Sequence, residues 1–169
     1  MANKPLVGIV MGSDGDLETV RGCMKQLDEL AIACEVRVIS AHRTPELAHE
    51  YATSAAGRGL KVLVAAAGMS AALGGALAAN TTLPVIGIPV NSGPLGGVDA
   101  ALSMMQMPAG VPVACMAIGT AGAANAGILA AQILALSDAG LAARLAQFKT
   151  QLAEKVVRKD AEIRRQFGK

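Results

Sequence analysis

One short run in the chain brings an acid–base group beside an anion-binding group. It is Ser40-Ala41-His42-Arg43-Thr44-Pro45. Thr44 stands as an N-cap and Pro45 suits the first helical position, so a helix starts there and leaves His42 and Arg43 on the turn before it. Arginine offers a planar fork suited to phosphate, and histidine, with an unperturbed pKa of about 6.5, gives and takes protons near neutrality. His42 is therefore the best acid–base candidate in the chain. The plainer alternative is an exposed histidine beside an exposed arginine. The other histidine, His49, falls inside the following helix and reads as surface. Two histidines without a cluster of carboxylates or thiolates argue against a metal site.

Three further turns carry small or polar residues. In Met11-Gly12-Ser13-Asp14-Gly15-Asp16 the glycines let backbone approach a ligand where a helix begins. Ser13 suits a phosphate oxygen, whereas the carboxylate of Asp16 would repel phosphate and belongs on ribose hydroxyls. Taken alone, Ser13, Asp14 and Asp16 read more simply as helix caps. Ala67-Gly68-Met69-Ser70-Ala71-Ala72 offers backbone amides and small side chains that suit a flat ring, with Ser70 equally able to cap a helix. In Gly119-Thr120-Ala121-Gly122-Ala123-Ala124-Asn125 the small residues favour close packing over ligand binding.

These turns need a frame that gathers them. Apolar runs rich in β-branched residues recur at Leu6–Met11, Glu35–Ile39, Lys61–Ala66, Pro84–Ile88 and Val111–Ala117, and predict five strands. Helical segments alternate with them at Asp16–Leu30, Pro45–Arg58, Ser70–Asn80, Gly97–Gln106 and Ala121–Leu136. A repeated strand–helix order implies right-handed crossovers and a three-layer α/β/α sandwich around a doubly wound parallel sheet. Ligands in such sheets bind beyond the carboxyl ends of the strands, where these turns fall. A last helical arm, about residues 139–167, holds most of the late charge and reads either as a solvated amphipathic helix or as an arm on a neighbouring subunit.

Composition narrows the functional classes. A chain of 169 residues, 53% hydrophobic, fits one domain, residues 1–169, with a sizeable core. A formal net charge of +2 gives no basic footprint for nucleic acid or an anionic membrane. Asp99 is the sole charged residue between Lys61 and Asp138, and glycines and prolines interrupt that stretch before about 20 apolar residues accumulate, so burial between copies of the chain explains it better than a membrane span. Cys23, Cys34 and Cys115 are too scattered for zinc or a redox pair and read as small core residues in a reducing compartment. Met1-Ala2-Asn3-Lys4-Pro5 lacks the pattern of a secretory leader, which makes the cytoplasm the expectation.

The chain has neither G-x-x-x-x-G-K-[ST] nor G-x-G-x-x-G after the first strand, so ATP and NAD are not expected. Tyr51 is the one tyrosine and tryptophan is absent, which disfavours a stacked flavin. A receiver-like module would place an aspartate after the third strand, where this chain has Ala66-Ala67-Gly68.

Taken together, Met11-Gly12-Ser13 through Asp16, Ser40 to Pro45, Leu83-Pro84-Val85-Ile86-Gly87-Ile88-Pro89, Gly97-Val98-Asp99-Ala100, Gln106-Met107-Pro108 and Ala117 to Ala126 resemble the N5-carboxyaminoimidazole ribonucleotide mutase (PurE) family over essentially the whole chain. The resemblance implies an octamer that uses no cofactor and moves a carboxylate from the exocyclic nitrogen of an imidazole ribonucleotide to ring carbon C4, in purine biosynthesis. It implies that Ser13 and Arg43 hold phosphate, Asp16 holds ribose and His42 is the acid–base group. Ser40 and Ala41 belong to the same substrate-binding turn, and Gly68, Met69 and Ser70 supply amides for the carboxylate. The chain departs from the family's usual Gly-Gly-Ala-Ala-His-Leu-Pro-Gly, reading Gly68-Met69-Ser70-Ala71-Ala72-Leu73-Gly74-Gly75, without the histidine and proline. Two alternatives are a direct aminoimidazole ribonucleotide carboxylase, whose usual Ser-Ala-His-Lys-Thr differs at Arg43, and a non-catalytic nucleotide-binding module on the same fold.

Overall fold

The computed structural model describes residues 4–168; the first three residues and the last residue of the 1–169 span lie outside them. Five parallel strands form one sheet: β1 (Val7–Met11), β2 (Cys34–Val38), β3 (Val62–Ala67), β4 (Val85–Pro89) and β5 (Ala114–Cys115). Helices α1 (Leu17–Glu29), α2 (Pro45–Arg58), α3 (Leu73–Ala78), α4 (Val98–Met105) and α5 (Thr120–Ala135) alternate with them, and α6 (Ala139–Phe167) follows. The order across the sheet is β2-β1-β3-β4-β5. The chain steps from β1 to one side and then returns to the other, so the strand order reverses between β1 and β3. That reversal opens the crevice in which such sheets bind ligands.

Every residue of β1, β3 and β4 is buried, as their unbroken apolar composition requires of central strands covered on both faces. The period of two divides them between two cores. Val7, Ile9, Val62, Val64, Ile86 and Ile88 pack under α1 and α5, while Val10, Leu63, Ala65 and Val85 pack under α2, α3 and α4. Burying one such branched side chain stabilises the fold by about 1.5–3 kcal/mol. The small residues of the fifth turn and of α5 serve this packing: a methyl at Gly22 would lie 3.1 Å from the Thr120 carbonyl, and one at Gly127 would lie 2.8 Å from the Cys23 carbonyl. Helices α1 and α5 therefore touch backbone to backbone. Cys23 lies in that contact, where burial pushes its thiol up to about 12; Cys34 and Cys115 are half-buried, and all three cysteines are free.

Two elements differ from the sequence expectation. The fifth strand was expected over Val111–Ala117, yet only Ala114 and Cys115 pair, with Ile86 and Gly87. Pro112 has no amide hydrogen to offer, and the segment lies at the sheet edge with a partner on one side alone. The third helix, expected from Ser70, begins at Leu73 because Met69 adopts a left-handed φ of 56° that turns the chain first.

Strand β2 is the opposite edge and is half-exposed. It is tied to α2 through Glu35, whose carboxylate accepts from Tyr51 Oη at 2.8 Å and from Arg58, while the Arg58 guanidinium lies 4.6 Å from the Tyr51 ring centroid. Burial acts to raise the Glu35 carboxyl, but the Arg58 and Tyr51 hydrogen bonds and the arginine charges hold it below its usual range. This clamp fixes β2 against α2, and so fixes the turn between them.

Helix α6 is capped by Asp138, which accepts from Leu141 N at 2.9 Å. Leu141 and Leu145 dock it on the core, and Arg144 Nε donates to the Leu30 carbonyl at 3.2 Å. From Lys149 onward its residues are exposed, including Leu152, Val156, Ile163 and Phe167.

Candidate active site

The turns after β1, β2 and β3 meet at the strand-order reversal and enclose a cleft of about 550 Å³. Ser13, Asp16, Ser40, Ala41, His42, Arg43, Gly68, Met69 and Ser70 all line it, so the residues expected to bind substrate or move protons fall in one place. Gly12, Ala67, Ala71, Ala72, Leu73 and Ser92 complete the wall.

The first turn forms a single 3-10 turn, Asp14–Asp16, ahead of α1. Ser13 caps it: Gly15 N donates to Ser13 Oγ at 3.3 Å, and Ser13 N donates to Asp16 Oδ2 at 3.1 Å, closing a reciprocal capping box. The capping role expected of Ser13 and Asp16 is thus present, on residues that also face the cleft. The Ser13 hydroxyl donates to Asp14 Oδ1 at 3.1 Å in an exposed bond that an incoming acceptor can displace. Asp16 is buried, with 8% of its surface exposed. Burial pushes its carboxyl above the usual range, against the lowering effect of the Ser13 and Gly12 backbone amides.

The second turn is built around Ser40. Thr44 does not cap α2 with its side chain, as its position had suggested; Thr44 Oγ1 instead accepts from Ser40 N and donates to the Ser40 carbonyl, both at 3.0 Å. Pro45 does occupy the start of α2. The Ser40 hydroxyl accepts from Arg43 N and Arg43 Nε, both at 3.3 Å, and Arg43 Nη2 donates to the Gly12 carbonyl at 3.1 Å. The guanidinium therefore spans from the second turn to the first. Two of its five N–H groups are engaged in these bonds, and three remain for a ligand. His42 is exposed beside it, while His49 lies on α2 outside the cleft with Nδ1 2.8 Å from Asn80 Oδ1.

The third turn presents Gly68, Met69 and Ser70. Met69 is 57% exposed, and its Cγ would lie 3.1 Å from a methyl at Gly93 in the turn after β4. A left-handed non-glycine residue costs roughly 1–2 kcal/mol, and such strain gathers at ligand sites. Ser92, on that same fourth turn, is the hydroxyl-bearing cleft residue that the sequence reading did not single out. The signal for it was Asn91-Ser92-Gly93-Pro94 following an apolar strand. The fifth turn does not line the cleft; its small residues pack α5 against α1. Among the described residues, no three His, Cys, Asp or Glu side chains gather closely enough to hold a metal ion.

The AIR carboxylase family model matches residues 6–155, a span that holds every cleft residue. The chain belongs to the AIR carboxylase family. Among its relatives, the N5-carboxyaminoimidazole ribonucleotide mutase of Mycobacterium tuberculosis is 51% identical over 166 residues, covering 98% of this chain and 94% of the relative. The enzyme of the same name from Bacillus subtilis is 51% identical over 160 residues, covering 95% of this chain and 99% of the relative. The crystal structure of Treponema denticola PurE superposes with a TM-score of 0.84 at 29% identity, covering 94% of this chain and 98% of that one. That structure and this chain thus share one fold at 29% identity.

Proposed function

We propose that this protein is an isomerase, an N5-carboxyaminoimidazole ribonucleotide mutase that forms 4-carboxy-5-aminoimidazole ribonucleotide in purine biosynthesis. The observation that supports it is a single cleft joining a free imidazole, an arginine with unused donors, a buried carboxylate and a small-residue loop. Its volume suits one ribonucleotide. Arg43 and the Ser13 hydroxyl hold the phosphate, Asp16 accepts from the ribose hydroxyls, and Ser40 and Ala41 shape the wall beside the ring.

The reaction follows from those positions. Protonated His42 gives its proton to the exocyclic nitrogen as the N–C bond breaks, and the bonding pair returns to that nitrogen. Carbon dioxide and the electron-rich aminoimidazole are left side by side. Ring carbon C4 attacks the carbon dioxide to form the new C–C bond, and neutral His42 then removes the C4 proton. The histidine ends as it began, so neither ATP nor a metal enters the balance. Holding both fragments in one site makes the second step effectively intramolecular, and the amides of Gly68, Met69 and Ser70 stabilise the carboxylate.

The same reading makes the protein a cytoplasmic homo-oligomer, an octamer by its family resemblance. Leu95, Val98, Leu102 and Met105 are exposed at 61%, 53%, 50% and 58%, a patch that a second copy would cover. No helix among the described residues is long and apolar enough to cross a membrane. The test is an ATP-free assay of wild type and His42→Asn, with N5-carboxyaminoimidazole ribonucleotide beside aminoimidazole ribonucleotide plus bicarbonate. Turnover of the first substrate that is abolished by the substitution is expected. Turnover of the second alone would make the protein a direct carboxylase, and turnover indifferent to His42 would overturn the mechanism.

A further inference from the structure

A carboxyl group in transit passes from carbamate to free carbon dioxide to carboxylate, and it drifts away unless donors hold its oxygens throughout. The amides of the third turn lie on one side of the cleft. The fourth turn closes against them: Val90 N donates to the Ala67 carbonyl at 2.9 Å, while within the fourth turn Ser92 N folds back to the Val90 carbonyl, also at 2.9 Å. Gly68 is what lets the two turns meet. A methyl there would overlap Ser92 Oγ and stand 3.1 Å from Ser92 Cβ, so the serine hydroxyl lies directly against the Gly68 α-carbon.

The cleft hydroxyls are not equivalent. Those of Ser13 and Ser40 are engaged in holding their own turns. The Ser92 side chain is half-buried and, among the described residues, makes no hydrogen bond to protein. A half-buried hydroxyl without a protein partner, held by a glycine at the carboxyl-handling loop, has a donor to offer whatever occupies the cleft.

We propose that Ser92 is a further carboxyl-binding residue, whose hydroxyl donates a hydrogen bond to a carboxylate oxygen beside the Gly68–Ser70 amides. Resting on the mutase reading above, this gives Ser92 the task of keeping carbon dioxide beside C4 between its release and its capture. Loss of the hydroxyl does not weaken phosphate or ribose binding. It lets carbon dioxide escape and leaves aminoimidazole ribonucleotide as a side product.

The experiment follows both products from N5-carboxyaminoimidazole ribonucleotide, using the full-length protein as wild type, Ser92→Ala and Ser92→Thr. Ser92→Ala is expected to keep KM within about twofold, to lose on the order of tenfold in kcat for the C-carboxylated product, as fits one hydrogen bond to a charged group, and to release a larger share of aminoimidazole ribonucleotide. Ser92→Thr, which keeps the hydroxyl, is expected to restore the wild-type product ratio. A Ser92→Ala enzyme with wild-type kcat and wild-type product ratio overturns the assignment while leaving the mutase reading intact. A wild type that does not convert the substrate overturns both.

Discussion

Replacing Arg43 by methionine keeps much of the aliphatic stem and removes the guanidinium, and with it the phosphate contact. The guanidinium already makes two bonds to protein, to the Ser40 hydroxyl at 3.3 Å and the Gly12 carbonyl at 3.1 Å. These hold the remaining donors in place before substrate arrives. Two charge-assisted bonds to phosphate, taken at the low end of about 1.5 kcal/mol each because Arg43 is exposed, sum to about 3 kcal/mol, or on the order of 100-fold in binding. The assay is steady-state turnover of the ribonucleotide and of its dephosphorylated nucleoside by wild type and Arg43→Met. KM for the ribonucleotide should rise about 100-fold with kcat changed only a few-fold, because the lost contact is the same in ground and transition states. Turnover of the nucleoside should be equal in the two proteins. A KM rise below about fivefold, or an equal loss on both substrates, would refute Arg43 as the phosphate ligand.

Two further perturbations test the strain and burial in the cleft. Burial raises the Asp16 carboxyl, so its ionisation opposes folding: the favourable term is complete below the unfolded value of about 3.9 and is lost as pH rises through the folded value. Asp16→Asn keeps an acceptor for Ser13 N and does not ionise, so its melting temperature should exceed wild type near neutral pH, with the gap closing toward about pH 4; a pH-independent gap would contradict this. Met69→Gly releases the left-handed φ of 56° and should stabilise the fold by about 0.5–1 kcal/mol, read as a higher urea midpoint at fixed protein concentration; a lower midpoint would show that the Met69 contact with Gly93 outweighs the strain.

The sequence carried most of the frame because central parallel strands are buried on both faces and leave continuous apolar runs, as in Val7–Met11, Val62–Ala67 and Val85–Pro89. It carried the second turn because Pro45, directly after Thr44, suits the first helical position and does begin α2. It was less legible where tertiary contacts override local preference. Thr44 has the residue type of a cap but turns back onto the Ser40 backbone, and Ser70 follows the left-handed Met69 and stands short of a helix that begins only at Leu73. The edge strand β5 has one partner and a nearby proline, so its apolar length overstates its pairing. Ser92 was hidden for a different reason. Its place in the cleft depends on Gly68, which is distant in sequence and brought beside it by the parallel pairing of β3 with β4. The burial of Asp16 likewise reflects packing around the turn, which residue type alone does not reveal.

The central claim is that the carboxyl group moves within one cleft under the control of His42. Its most direct test is to supply N5-carboxyaminoimidazole ribonucleotide with an isotopically labelled carboxyl group, in a large excess of unlabelled bicarbonate, and to measure the label in the C-carboxylated product by mass spectrometry. Retention of the label in the wild-type product, with no labelled product from His42→Asn, is the predicted result. A product carrying carbon from the bicarbonate pool would mean that the group leaves the cleft, and would contradict the mutase account.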